Sequence, residues 1–344
     1  MVKSRDKMLY KIIVLILTFC CSFSAIGGSI SPDYATLKRV YDKYKTNYHG
    51  KPASYIPELA KADSDLFAIS VVTVDGKIMS IGDKNTNFSL QSISKIFTYA
   101  LALRDNGEKI IFNKIGLDAT GEQFNSIKSI ENHQTHNPFV NIGAIQTTSF
   151  IKGKDSEEKW SRLVSFIKSL GGEQIFLGQS IYHSEAISNQ RNRAISHLLE
   201  SYGMLIGDPK EVLDRYTKAC ALMLNTETLA LIGSTFANNG INPKTHEKVL
   251  SSNYVRDVLS EMVINGIYER SGGWFVTIGV PAKSGVSGGI IAVIPNKMAI
   301  AVYSPNLDKT GTSIRGEAVL KDLSRLWNLH LLLNNKIEIK DASF

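Results

Sequence analysis

Strand-like sequence stands near the two ends of this chain, and helical sequence fills the middle. Near the front, "FAISVVTVDGKIMSIGD" places two apolar runs about Asp75-Gly76, a strong signal for a tight β-hairpin. Near the end, "WFVTIGVPA", "GIIAVIPN" and "MAIAVYSP" read as strands, the last pair turned by Pro295-Asn296-Lys297. From Ser92 to about residue 265 the apolar spacing is helical, as in "EEKWSRLVSFIKSLGG", "NRAISHLLESYGML", "VLDRYTKACALML" and "TLALIGSTFANNG". Two of these segments close on glycine. The economical arrangement is an α/β (α+β) fold with an antiparallel sheet drawn from both chain ends, about 32–91 and 270–333. An all-helical region, about 92–269, is then inserted into it. Further amphipathic helices are expected over about 32–46 and 313–333.

The first 27 residues read differently from the 344-residue whole. Lys3, Arg5, Lys7 and Lys11 precede the apolar run "IIVLILTFCCSF", and small residues follow in "SAIGGS". That is the plan of a secretory signal peptide, with cleavage near Ser24 or Gly27 and a mature chain of 28–344. The protein is then exported, periplasmic or secreted. The alternative is an uncleaved N-terminal membrane anchor; a lipoprotein at Cys20 is disfavoured by the bulk of Phe19. Removal takes four Lys/Arg and one Asp, so the formal charge falls from +7 to (39 − 4) − (32 − 1) = +4. Basic residues form no stripe, which argues against nucleic acid as a partner. Removal also leaves Cys220 as the single cysteine, so neither a disulfide nor a cysteine metal cluster can form within the mature chain. Cys220 sits in an apolar helix and reads as core.

"SLQSISKIF" puts Ser92 and Lys95 three residues apart at the start of an apolar helix that Gly107 can end. At that spacing an amine reaches the hydroxyl, and a desolvated, neutral amine can take its proton. The bare spacing decides nothing, because it recurs at Ser4/Lys7, Ser149/Lys152, Ser156/Lys159 and Ser165/Lys168. A second element helps: Lys283-Ser284-Gly285, at the end of a predicted strand, resembles the lysine-serine/threonine-glycine triplet that accompanies such a pair in penicillin-recognising enzymes. Lys309-Thr310-Gly311 is a closer literal match, but it falls in the loop before the last helix.

Taken in order, "YIPELA", "FSLQSISKIF", "FNSI", "NPFVNIGAI", "YHSEAISNQRNRAI", "VLDRYTKAC", "NGIYERSGGW" and "PAKSGVSGGI" resemble the serine-dependent glutaminases of the β-lactamase-like fold over about residues 32–333. The resemblance implies hydrolysis of L-glutamine to L-glutamate and ammonia, with no metal or organic cofactor and with a homodimer or homotetramer as the assembly. It implies Ser92 as nucleophile, Lys95 as its base and Tyr268 as a second proton-transfer group. Tyr55, Asn141, Glu185, Asn192 and Tyr216 would hold glutamine, and the backbone of Val286 with that of Ser92 would form the oxyanion hole. These types suit the substrate, since an α-ammonium needs a carboxylate and an α-carboxylate needs neutral donors. Two positions depart from the family pattern: Ile142 where alanine is usual, and Ser287 where glycine is usual.

Without the resemblance, Tyr55, Tyr216 and Tyr268 are three of thirteen tyrosines, and Glu185 and Asn192 are simply seven apart, two turns of one helix. His133 and His136 flank a loop, show no metal spacing and are expected to face solvent. The rival enzyme is a serine β-lactamase or D,D-peptidase, for which Ser251–Asn253 is the one candidate second motif in the helical region. The non-enzymatic rival is a glutamine- or penicillin-binding module, which has no need of Ser92, Lys95 and Tyr268 together.

Overall fold

The computed structural model describes residues 32–123, 125–127, 130 and 136–333. The predicted signal segment, Phe124 of "FNSI" and His133 lie outside the described residues.

The two chain ends meet in one antiparallel sheet. Its strands are β1 (Ala68–Thr73), β2 (Ile78–Gly82), β6 (Ala282–Ser284), β7 (Gly289–Ile294) and β8 (Met298–Tyr303). They lie in the order β2-β1-β8-β7-β6, so β1 from the front pairs with β8 from the end, Ile69 opposite Val302. Both predicted hairpins form, with Gly76 at φ 83 and Asn296 at φ 62 taking the left-handed turn positions.

Alternation along the strands sends side chains to two cores. Ile290, Ala292, Ile300 and Val302 face the terminal helices Tyr34–Tyr44 and Ile314–Leu326, meeting Leu37, Val40, Val319 and Leu323. Val72, Ile291, Val293 and Ala301 face the helix Thr226–Ala237. There Gly233 allows close approach, since a Cβ on it would lie 2.5 Å from the Ala299 Cβ. The helix Ser94–Asn106 packs into the same second core and is buried through its first ten residues, Ser94 to Leu103.

Three sequence expectations change. The helical region is not all-helical: short strands β3 (Phe88–Ser89), β4 (Phe176–Leu177) and β5 (Leu222–Leu224) make a second sheet in the order β3-β5-β4. "VLDRYTKACALML" accordingly ends its helix at Cys220 and turns to strand at Leu222. "WFVTIGVPA" lies in the helix Ser271–Thr277 and is extended only from Ala282. Trp274 and Ile278, one turn apart, are buried together, Trp274 Nε1 donates to Val280 O at 3.0 Å, and Gly279 at φ 73 reverses the chain. His136 does not face solvent but is 1% exposed, and burial pushes its imidazole down to about 4, so the ring is neutral.

Candidate active site

Ser92 sits in a tight turn, Gln91–Ile93, between β3 and the helix Ser94–Asn106. The turn is fixed from both sides: the Leu90 N–H donates to Leu222 O at 2.8 Å, and Gln91 takes φ 48. The Ser92 side chain faces the Tyr268 hydroxyl closely enough to oppose the upward push of burial on that phenol. Tyr268 arrives on a second strained turn, at φ 51, which Ser271 braces by donating its Oγ hydrogen to Tyr268 O at 2.8 Å.

One turn beyond Ser92, Lys95 is 0% exposed. Its Nζ donates to Phe139 O at 3.1 Å and Asn141 Oδ1 at 2.7 Å. Burial lowers the ammonium from the ordinary 10.5 to about 8, against the upward pull of Cys220 and Glu185. Burial thus makes the neutral amine, the form a base requires, far more accessible than at the ordinary value, although the ammonium still predominates at pH 7. The other Ser-x-x-Lys pairs among the described residues lack this: Lys152 is exposed, Lys159 is half-buried, and Lys168 pairs with Glu173 at 2.9 Å.

Beside Ser92 opens a cavity of about 390 Å³, lined by Tyr55, Asn141, Glu185, Asn192, Tyr216 and Val286. These six residues thus reach one space with Ser92, while Lys95 and Tyr268, the latter also expected among the substrate-binding residues, are buried and do not line it. Asn141 is the hub: its Oδ1 also accepts from the Tyr216 hydroxyl at 3.3 Å, and its Nδ2 donates to Asn192 Oδ1 at 3.0 Å. Asn137 shapes the approach to that helix, its Oδ1 accepting from the N–H groups of Phe139 and Val140 at 3.0 and 3.2 Å. Glu185 is 7% exposed, with Gln91 Nε2 donating to its Oε2 at 3.2 Å. Burial raises its carboxyl to about 7, opposed by the Gln91 hydrogen bond and by Lys95. Glu185 and Asn192 do not share a helix, because the chain breaks at Asn189 between helices Gln179–Ser188 and Gln190–Ser201. Tyr55 stands at the rim, 57% exposed.

The lysine-serine-glycine element occupies an unexpected place. β6 packs beside the Ser92 turn, yet Lys283 is fully buried and does not line the cavity. Lys309, Thr310 and Gly311 instead line a neighbouring cavity of about 630 Å³. Ser251 caps the helix Ser252–Asn265, its Oγ accepting from the Tyr254 N–H at 3.5 Å, and the Ser251–Asn253 triplet does not line the site. Sequence reasoning gave no role to Gln91, Asn125, Ser188, Asn189 and Arg191, which also line the cavity, although all five lie within "FSLQSISKIF", "FNSI" and "YHSEAISNQRNRAI". Cys220, read as core, is buried in the cavity wall, its thiol pushed up to about 12 by burial and by Glu185.

The glutaminase family profile matches residues 50–332. The chain belongs to the glutaminase family. It is 45% identical over 309 residues to the glutaminase of Trichormus variabilis, covering 90% of this chain and 92% of that relative. Glutaminase 1 of Escherichia coli K12 is 43% identical over 299 residues, covering 85% of this chain and 96% of that relative. The solved probable glutaminase ybaS matches with a TM-score of 0.85 at 41% identity, over 88% of this chain and 98% of that one. The Bacillus subtilis glutaminase YbgJ, in its covalent complex with 5-oxo-L-norleucine, matches with a TM-score of 0.80 at 30% identity. That match covers 87% of this chain and 99% of the Bacillus chain. The antiparallel sheet from both chain ends, with helices inserted, is the β-lactamase-like fold of these glutaminases.

Proposed function

We propose that this chain hydrolyses L-glutamine to L-glutamate and ammonia through a glutamyl ester on Ser92. The observation that carries the reading is Ser92, facing the Tyr268 hydroxyl one turn before a buried Lys95 whose ammonium burial lowers to about 8, at the wall of a cavity lined by the Glu185 carboxylate.

Lys95 Nζ takes the Ser92 proton as Oγ attacks the carboxamide carbon. The oxyanion then accepts from the N–H groups of Ser92 and Val286. Burial holds the Tyr268 hydroxyl protonated, so it can donate to the departing nitrogen, which leaves as ammonia with the C–N bond broken. Water, deprotonated through the same groups, attacks the ester and returns the proton to Ser92 Oγ. Glu185 pairs with the α-ammonium, Asn141, Asn192 and Tyr216 supply donors for the α-carboxylate, and Tyr55 closes over the rim. A relative forms a covalent complex on reaction with 6-diazo-5-oxo-L-norleucine, which supports a nucleophile in the family site.

Ammonia release by the purified chain, and its loss in Ser92→Ala, test the reading. A folded preparation that leaves glutamine intact and opens a β-lactam would refute it. We also propose export, on the signal-like plan of residues 1–27. Intact mass of secreted or periplasmic material should show a start between residues 25 and 28. Recovery of only the full-length chain from cytosol would contradict export.

A further inference from the structure

The turn that carries Val286 is wedged between two neighbouring backbones. It joins β6 to β7 across Gly285–Gly288, closed by Gly288 N–H donating to Gly285 O and Gly285 N–H donating to Gly289 O, both at 2.9 Å. These hydrogen bonds do not use the Val286 N–H. A Cβ on Gly285 would lie 2.5 Å from Leu90 O, and one on Gly288, at φ 104, would overlap Ser304 O. The chain before Ser92 and the end of β8 therefore grip the turn from opposite sides.

Between those glycines, Ser287 is 5% exposed and its Oγ donates to Ser89 O at 2.6 Å. Ser89 ends β3, three residues before Ser92. Its own Oγ accepts from Gln91 Nε2 at 3.4 Å, and that same Nε2 donates to Glu185 Oε2 at 3.2 Å. A hydrogen-bonded path thus runs from the turn bearing Val286, through Ser89 and Gln91, to the Glu185 carboxylate in the cavity lining.

We propose that Ser287 is a positioning residue whose hydroxyl sets the spacing between the Val286 and Ser92 N–H groups. The inference rests on reading those two groups as the oxyanion hole. Its physical basis is the steep distance dependence of a hydrogen bond to developing charge. A shift of a few tenths of an ångström weakens the bond to the tetrahedral oxyanion more than the bond to the ground-state carbonyl. Losing the Ser287 hydroxyl should therefore act on kcat and spare KM. It also leaves Ser89 O without that donor in a buried place.

The test compares Ser287→Ala and Ser287→Gly with the parent chain, measuring kcat and KM for glutamine, inhibition by glutamate, and thermal midpoint. In both variants kcat should fall about tenfold, a fraction of the roughly 10²–10³ lost when an oxyanion donor is removed outright. KM and glutamate inhibition should stay within about twofold, since neither depends on the developing charge. A kcat within twofold of the parent in folded variants would overturn the inference, as would a rise in KM at constant kcat. Failure of both variants to fold would make the hydroxyl a fold-stabilising contact and overturn it equally. Ser92→Ala separates the two readings: if it is inert while Ser287→Ala turns over normally, only the Ser287 inference falls. If Ser92→Ala retains turnover, the underlying mechanism falls.

Discussion

Lys283 Nζ lies 4.1 Å from the centroid of the Tyr268 ring, and the ammonium of Lys95 lies 5.8 Å from the same centroid. Burial, reinforced by Lys95, holds the Lys283 ammonium well below its ordinary value. Its Nζ donates to Ser284 O at 2.9 Å. The space thus admits a neutral amine and disfavours a second fixed cation. Lys283→Met should remain within about 1 kcal/mol of the parent in stability. Lys283→Arg keeps its charge at any working pH and should cost about 3–5 kcal/mol, as an uncompensated buried charge does. Chemical denaturation of the two variants decides it; equal stability would remove the argument.

The pH dependence of kcat/KM follows from two groups that both work deprotonated. Glu185, raised to about 7, must be ionised to pair with the α-ammonium; Lys95, lowered to about 8, must be neutral to take the Ser92 proton. Activity should therefore be lost as pH falls through both values and should rise steeply between about pH 7 and 8. Glu185→Gln should raise KM about a hundredfold or more by leaving the ammonium unpaired. A flat profile from pH 6 to 9 would contradict the assignment of both groups.

Tyr268→Phe keeps the ring that Lys283 faces and removes only the hydroxyl that faces Ser92. Turnover should drop by roughly 10²–10⁴-fold, the usual worth of a positioned acid or base. Glutamine affinity, read by calorimetry, should change far less. Near-normal turnover would leave Lys95 to handle both proton transfers.

Glu261 is buried on the helix Ser252–Asn265, accepts from Asn265 Nδ2 at 2.8 Å, and is raised to about 8 by burial, with Asp118 adding to the rise. The folded chain therefore holds a proton that the unfolded chain releases near its ordinary 4.5. The stability this contributes is complete below about pH 4.5 and is lost as pH rises through about 8. Glu261→Gln should be close to neutral in a melt at low pH and should raise the midpoint by about 2–4 °C above pH 8. An equal effect at both pH values would show that the carboxyl does not titrate in that window.

Sequence by itself determined the elements whose signals are local. Asp75-Gly76 and Asn296 marked both hairpins, and strands confined to the chain ends implied one sheet drawn from both, whereas the pairing of β1 with β8 was decided by the tertiary structure. Spacing placed Ser92 and Lys95 one turn apart, and the ordered motifs named Tyr55, Asn141, Glu185, Asn192, Tyr216 and Val286 among the residues that line the cavity. Spacing could not rank Ser92/Lys95 above Ser149/Lys152 or Ser165/Lys168, because a hydroxyl and an amine one turn apart look alike in every helix. What separates them is desolvation, supplied to Lys95 by Phe139, Asn141 and Tyr268, distant in sequence and adjacent in space. The same holds for Glu185 and Asn192, read as one helical face and brought together across a break at Asn189. Strands of two or three residues, such as β3 and β4, are too short to show a period and exist because the tertiary structure pairs them. Local periodicity reads only the next turn along the chain, whereas burial, charge coupling and the enclosure of Lys283 are set by neighbours distant in sequence, as Lys95, Phe139 and Tyr268 are to Lys283.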